Sequence, residues 1–154
     1  MKVRIIAPGK IKEKWLKDGI AEYVKRLSGY ADIEMIEVND SPDSIPEAEG
    51  IRREGEQILS KISDKDIVWV MDLHGEKLTS EKLSESLMTD LEKGGARLSI
   101  VIGGSCGISD DVRKRAQRKI SFGNITLTHQ MTRLVLVEQL YRAFKIARGE
   151  RYHK

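Results

Sequence analysis

Leu98-Ser99-Ile100-Val101-Ile102-Gly103-Gly104-Ser105-Cys106-Gly107-Ile108-Ser109 is the stretch on which the rest of the chain turns. Its first five residues, apolar except for Ser99, spell a buried strand. The glycines at 103, 104 and 107 then let the backbone turn sharply and approach a ligand with no Cβ in the way. Ser109 is placed to cap a short basic helix. Strand, glycine turn and helix form the unit of an α/β layer, and the flanking sequence repeats it. Residues 3–7 predict a first strand stopped by Pro8-Gly9. Ile11, Trp15, Leu16, Ile20, Tyr23, Val24 and Leu27 recur three and four apart and predict a helix ended by Ser28-Gly29. Residues 33–38 read as a second strand and 39–46 as a polar loop. A second helix with Ile51, Ile58, Leu59 and Ile62 leads to a third strand at 66–71. Thr79 or Ser80 caps a third helix whose Leu83, Leu87 and Leu91 lie four apart, with Gly94-Gly95 as its stop. After the glycine turn and its helix, a last strand is predicted over 119–122, a loop over 123–130 and a long helix over 131–148. Trp15 and Trp69 lie on apolar patterns and are expected in the core.

This alternation predicts one α/β domain with a mostly parallel sheet covered by helices on both faces. The 154 residues suit a single core. In such sheets ligands sit at the carboxyl ends of the strands. The loops leaving those ends are 72–75, 103–107 and 123–130, all in the second half of the chain.

Composition sorts the remaining classes. With 40% hydrophobic and 33% charged residues the chain is an ordinary globular mixture, neither disordered nor fibrous. A single cysteine, Cys106, forms no internal disulfide and heads no thiolate metal site, so a reducing, cytoplasmic setting and no metal are expected. The apolar stretch at residues 1–8 is too short for a signal peptide, and the run at 67–71 is far below the roughly 20 residues of a membrane span, so no membrane partner is expected. The net charge of +3 hides an asymmetry. Residues 113–154 hold eleven Lys and Arg against two acids, a net +9, while residues 1–112 carry −6.

The glycine turn lacks the Gly-Lys-Ser/Thr end of a P-loop and the spacing of a dinucleotide fingerprint, so it reads either as a ligand cradle or as a tight strand-to-helix turn. Cys106 reads as a nucleophile or as a small residue in that turn. Arg113, Lys114, Arg115, Arg118 and Lys119 crowd into seven positions, and Glu138, Arg142 and Lys145 share a face of the final helix. Clustered cations suit a polyanion, and the charge of the whole tail favours nucleic acid over a merely solvated helix face. His129 lies four residues before Arg133, and Tyr152-His153-Lys154 puts an aromatic ring, an imidazole and an ammonium at the end of the sequence.

Asp72-x-x-Gly75, Ile102-Gly103-Gly104-Ser105-Cys106-Gly107, Leu127-Thr128-His129-Gln130-Met131-Thr132-Arg133 running into Val137-Glu138-Gln139-Leu140-Tyr141-Arg142-Ala143, and the closing Tyr152-His153-Lys154 together resemble the ribosomal RNA large subunit methyltransferase H family, a branch of the SPOUT methyltransferases. The resemblance runs end to end and includes Pro8-Gly9-Lys10. It implies a single domain over 1–154 with a trefoil-knotted cofactor region over about 66–154. It also implies a homodimer, S-adenosylmethionine as cofactor, and methylation of N3 of a pseudouridine in 23S rRNA. Carried over by position, cofactor contacts fall on Met71, Gly103, Gly104, Phe122, Gly123, Asn124, Ile125, Thr126 and Leu127. The catalytic group is His129, Arg142, Tyr152 and His153, with Arg133, Arg142, Tyr152 and His153 facing substrate. Where the family commonly has Leu before the acid and Lys after the glycine, this chain has Met71 and Glu76.

Methyl transfer from a sulfonium needs no metal and no covalent enzyme intermediate, but N3 of pseudouridine carries a proton that must be accepted. His129 or His153 is the expected acceptor, with Arg142 stabilising charge on the base or fixing a phosphate. A SPOUT ribose 2′-O-methyltransferase and a non-enzymatic RNA-binding module stand as the alternative readings, with a nicotinamide oxidoreductase behind them for want of the fingerprint.

Overall fold

The computed structural model describes residues 1–152. Ten elements follow one another as β1 (Lys2–Pro8), α1 (Lys14–Leu27), β2 (Asp32–Val38), α2 (Glu47–Ser60), β3 (Val68–Lys77), α3 (Ser80–Lys93), β4 (Arg97–Ile102), α4 (Asp110–Arg115), β5 (Arg118–Ser121) and α5 (His129–Ala147). The five strands form one sheet in the order β2-β1-β4-β3-β5, with every pairing parallel.

The strands alternate between two cores, as a sheet buried on both faces requires. Val3, Ile5, Trp69, Leu98 and Ile100 pack beneath α1, α3 and α5, whereas Ile6, Val68, Val70 and Val101 face α2 and α4. Two helix starts follow the predicted capping chemistry: the Thr79 hydroxyl accepts from the Lys82 N–H, and the Ser109 hydroxyl from the Val112 N–H. Among the described residues no helix is long and apolar enough to cross a membrane.

Four expectations need correction. The first helix starts at Lys14 rather than near Ile11, and Trp15 is 62% exposed. The buried stripe of α1 is Leu16, Ile20 and Leu27; Trp15, a single residue out of phase, lies about 100° away from it, on the side of Asp18, Glu22 and Arg26. The last strand is Arg118–Ser121, so Phe122 belongs to the loop. The final helix begins two residues early, because Thr128 caps it by accepting from the Met131 N–H, which places His129 and Gln130 in its first turn. Finally, β3 does not end at Met71. Met71 and Glu76 are both paired with Ile120, so residues 72–75 bulge out of a strand that resumes beyond them.

Trp69 is fully buried, and its indole N–H donates to Asp90 Oδ2 at 2.7 Å. Arg118 grips the same carboxylate, through Nε at 2.5 Å and Nη2 at 3.2 Å. One carboxylate thereby ties β3, α3 and β5 together. Burial raises the Asp90 pKa, but the Arg118 and Trp69 hydrogen bonds outweigh it and hold the carboxyl below its ordinary range. A depressed folded-state pKa gives stability that is complete above the unfolded pKa and is lost as pH falls through the folded one. Asp90→Ala should therefore lower unfolding free energy near neutrality by about 2–4 kcal/mol, leaving the buried Trp69 indole N–H and the half-buried Arg118 guanidinium unpaired. In urea titrations the gap between wild type and variant should narrow as the pH drops below the ordinary carboxylate range.

Candidate active site

The carboxyl ends of β3, β4 and β5 open onto a cleft of about 710 Å³, within the roughly 300–1,000 Å³ typical of small-molecule sites. Its walls come from the three segments that sequence reasoning placed there. The strand β3 supplies Met71 and its bulge Asp72, Leu73 and His74; the glycine turn supplies Gly103, Gly104 and Gly107; the segment after β5 supplies Phe122, Ile125, Thr126 and Leu127. His129 and Thr132 enter from the first turn of α5, and Arg113 from α4. A smaller hollow of about 370 Å³ shares Leu73 and His74 and contains Asn124.

Two glycines are required by close approach. A Cβ on Gly75 would lie 2.6 Å from the Lys119 carbonyl carbon and 2.7 Å from the Ile120 nitrogen, so the bulge can return to β5 only without a side chain there. A Cβ on Gly103 would lie 2.5 Å from Ile108 Cγ1 and 3.0 Å from the Gly107 carbonyl oxygen. The glycine turn thus folds back on itself, and bare main chain lines the cleft. Met71, Ile102, Ile120, Ile125 and Leu127 add apolar surface. An adenosyl group needs such a mixture of flat apolar contact and main-chain partners, so the residues present fit the cofactor expected from the sequence.

The expected site residues divide into two groups. Met71, Gly103, Gly104, Phe122, Ile125, Thr126, Leu127 and His129 line the main cleft and Asn124 its neighbour, while Gly123 turns the chain at a φ of 125°. Arg142 and Tyr152 lie elsewhere, near the other end of α5. Arg142 Nη2 donates to Glu138 Oε1 at 2.6 Å, the Tyr152 hydroxyl donates to the same oxygen at 3.1 Å, and the Arg142 guanidinium carbon sits 4.8 Å from the Tyr152 ring centre. Burial, Tyr23 and Glu138 raise the Tyr152 pKa, so its phenol stays protonated. His153 lies outside the described residues. Cys106 is exposed and Glu76 lies in the resumed part of β3; neither is among the cleft-lining residues.

Arg133 departs most from its expected role. Instead of facing substrate it is 1% exposed, and its Nη2 donates to the Pro8 and Gly9 carbonyls at 2.5 and 3.0 Å. It anchors the turn after β1 from the side of α5. His129, one turn earlier, is shifted below its ordinary pKa by burial and by the Arg133 charge, with Asp40 and Glu54 opposing. It is therefore neutral near pH 7 and has a lone pair to offer.

The cleft and the comparisons with known proteins agree. A family model described as a predicted SPOUT methyltransferase matches residues 1–153. The chain belongs to the SPOUT methyltransferase family. It is also 50% identical to the ribosomal RNA large subunit methyltransferase H of Streptococcus pneumoniae strains CGSP14, 70585 and JJA, over all of this chain and all of each relative. SPOUT membership leaves the oxidoreductase reading without support.

Within this SPOUT chain the buried Arg133 generates a test. Arg133→Gln should lower unfolding free energy by about 2 kcal/mol, since the turn carbonyls lose their donors. A residue that served only to contact substrate would leave the thermal midpoint in place.

Proposed function

We propose that this chain methylates N3 of a pseudouridine in 23S rRNA of the large ribosomal subunit, with S-adenosylmethionine as methyl donor and two copies of the chain forming the working unit. The observation that carries the reading is the SPOUT match over nearly the whole chain, joined to a glycine-lined cleft at the strand ends. The named relatives supply the ribosomal substrate, and the ordered motifs of the sequence supply the pseudouridine position. The proposal includes a trefoil-knotted path over about residues 66–154.

S-adenosylmethionine supplies, when bound, an electrophilic methyl on a sulfonium. The protein's task is to present a nucleophilic nitrogen in line with it and to remove its proton. His129 is suited to the second part: it lines the cleft, and its lowered pKa keeps it an acceptor at neutral pH. Arg142 and Tyr152 belong to substrate recognition in this reading. Thirteen residues of helix separate Arg142 from His129, about 20 Å at 1.5 Å per residue. One chain therefore does not bring them together, and a second copy presenting its own tail to the cleft would. Exposed Ile125 and Leu73 at the cleft rim give such a partner apolar surface to cover.

Radiolabelled methyl transfer should label large subunits that contain pseudouridine and spare those prepared without it. Label at a ribose 2′-oxygen in a product digest would overturn the base assignment in favour of the ribose reading. Initial rates should rise with pH through a midpoint below the ordinary histidine pKa, a limb that the residual activity of His129→Gln should lack.

A mixing experiment tests the shared site. His129→Gln and Arg142→Gln chains, each strongly impaired alone, should regain up to about one quarter of wild-type activity when unfolded and refolded together, since a mixed pair restores one intact site. No recovery would mean that each chain works with its own tail.

A further inference from the structure

The cleft contains an ion pair that joins the acid of the Asp72-x-x-Gly75 motif to Arg113, a residue outside the quoted motifs. Asp72 sits in the β3 bulge with its side chain 9% exposed, and Arg113 reaches it from α4, Nε to Oδ2 at 3.0 Å. The other carboxylate oxygen accepts the His74 N–H at 3.1 Å. Burial raises the Asp72 pKa, but the His74 N–H and the Arg113 charge outweigh it, so the group is ionised at neutral pH. Arg113 is 36% exposed; beyond Asp72 it makes a 3.4 Å contact from Nη1 to Asp110, and its Nη2 makes no hydrogen bond among the described residues. The pair therefore offers the cleft an unused guanidinium edge beside a carboxylate with lone pairs to spare.

We propose that the Asp72–Arg113 pair is the subsite for a zwitterionic amino-acid head, Arg113 receiving an α-carboxylate and Asp72 an α-ammonium. Resting on the cofactor reading above, that head is the methionine end of S-adenosylmethionine.

Charge arrangement selects this occupant over a nucleic-acid phosphate. An RNA phosphate approaching Arg113 would meet the Asp72 charge 3.0 Å from the same guanidinium, so the polyanion gains little from a cation already neutralised. A zwitterion meets each member with its opposite, in four alternating charges that need not separate the original pair. The hydrogen bonds are charge-assisted on both sides, and they form in a partly enclosed cleft rather than in open water. Met71, Gly103 and Leu127 line the same cleft and leave the adenosyl end its own surface. The pair then acts as the discriminator between a full cofactor and an adenosine fragment.

The test compares two probes by calorimetry: S-adenosylhomocysteine, which carries the amino-acid head, and methylthioadenosine, which lacks it. Wild type should bind the first more tightly. Arg113→Gln and Asp72→Asn should each weaken S-adenosylhomocysteine by about tenfold while moving methylthioadenosine by less than about twofold, the loss set by charge-assisted hydrogen bonds. Arg113→Lys should recover part of the difference, since it keeps the charge but loses the fork. Equal weakening of both probes, or no change in either, overturns the assignment. So does an Arg113→Gln chain that binds S-adenosylhomocysteine normally but ribosomes poorly, which would make Arg113 a phosphate contact. Wild type that binds neither probe would overturn the cofactor reading itself, whereas tight binding of both with no effect of the substitutions overturns the subsite alone.

Discussion

Ile120 faces β3 twice, once at Met71 and again at Glu76, and the cleft depends on that double pairing. Four residues must leave the sheet between those two contacts, and they are Asp72, Leu73, His74 and Gly75. The excursion closes because Gly75 carries no side chain against the main chain of Lys119 and Ile120. Bulges next to strand ends commonly re-aim side chains toward a site, and here the bulge turns an acid, an imidazole and an apolar residue into the cleft wall. The facing wall is the second tight turn, at Gly103. The first wall belongs to β3, which Asp90 ties to β5 through Trp69 and Arg118, so the fold's buried polar knot supports the strand pair from which the bulge departs.

The folded arrangement changes the meaning of the basic end. Counted along the chain, residues 113–154 are strongly cationic. In space, most of those cations serve the protein's own structure: Arg113 pairs with Asp72, Arg115 donates to the Ser63 and Asp66 carbonyls, Arg118 holds Asp90, Arg133 holds the turn after β1, Arg142 meets Glu138, and Lys145 meets Glu150. Arg113 and Arg118 meet acids of the body, Arg142 and Lys145 meet the two acids of the basic end itself, and Arg115 and Arg133 meet main-chain carbonyls. A charge count predicts long-range attraction for a polyanion, but not which cations have already found an anion or a carbonyl. Lys114 and Lys119 appear in no ion pair among the described residues, and they, rather than the arginines of the same cluster, remain as solvent-facing charge.

Much of this was legible from residue order. Short apolar runs located the strands because the sheet is buried on both faces, and the caps at Thr79 and Ser109 marked helix starts because each hydroxyl satisfies an otherwise unpaired N–H. The motifs located the cleft, since glycines at 103 and 104 and the 122–127 segment do converge on it. What escaped were features set by phase or by tertiary partners. Trp15 obeys a three-and-four spacing with Ile11 but misses the true stripe by one position, and a short window does not distinguish the two. Arg133 looks like any helix cation until the Pro8 and Gly9 carbonyls appear beside it from the opposite end of the chain. The Asp72–Arg113 pair spans 41 residues, with no local signature to announce it.

Helix α5 acts as a ruler between the two halves of the candidate site. Its first turn carries His129 into the cleft, and its buried residues Leu136, Val137, Leu140 and Phe144 lock it against the sheet face shared with α1 and α3. A helix packed this way does not bend to bring its two ends together, so Arg142 stays far from His129 within one chain. The tail beyond it is held just as firmly. Glu150 takes hydrogen bonds from the Tyr30 hydroxyl at 2.7 Å and Lys145 at 2.6 Å, and Tyr152 stands edge-on against Tyr141 with ring centres 4.9 Å apart. These contacts fix where the chain presents Tyr152, and they point it away from its own cleft. The segment from Glu150 to Tyr152, held by these contacts in a place where it lines no cleft of its own chain, is a preformed surface for the proposed partner copy, because its ordering entropy has been met before any encounter. The proposed pairing of two copies follows from that rigidity more than from any single contact.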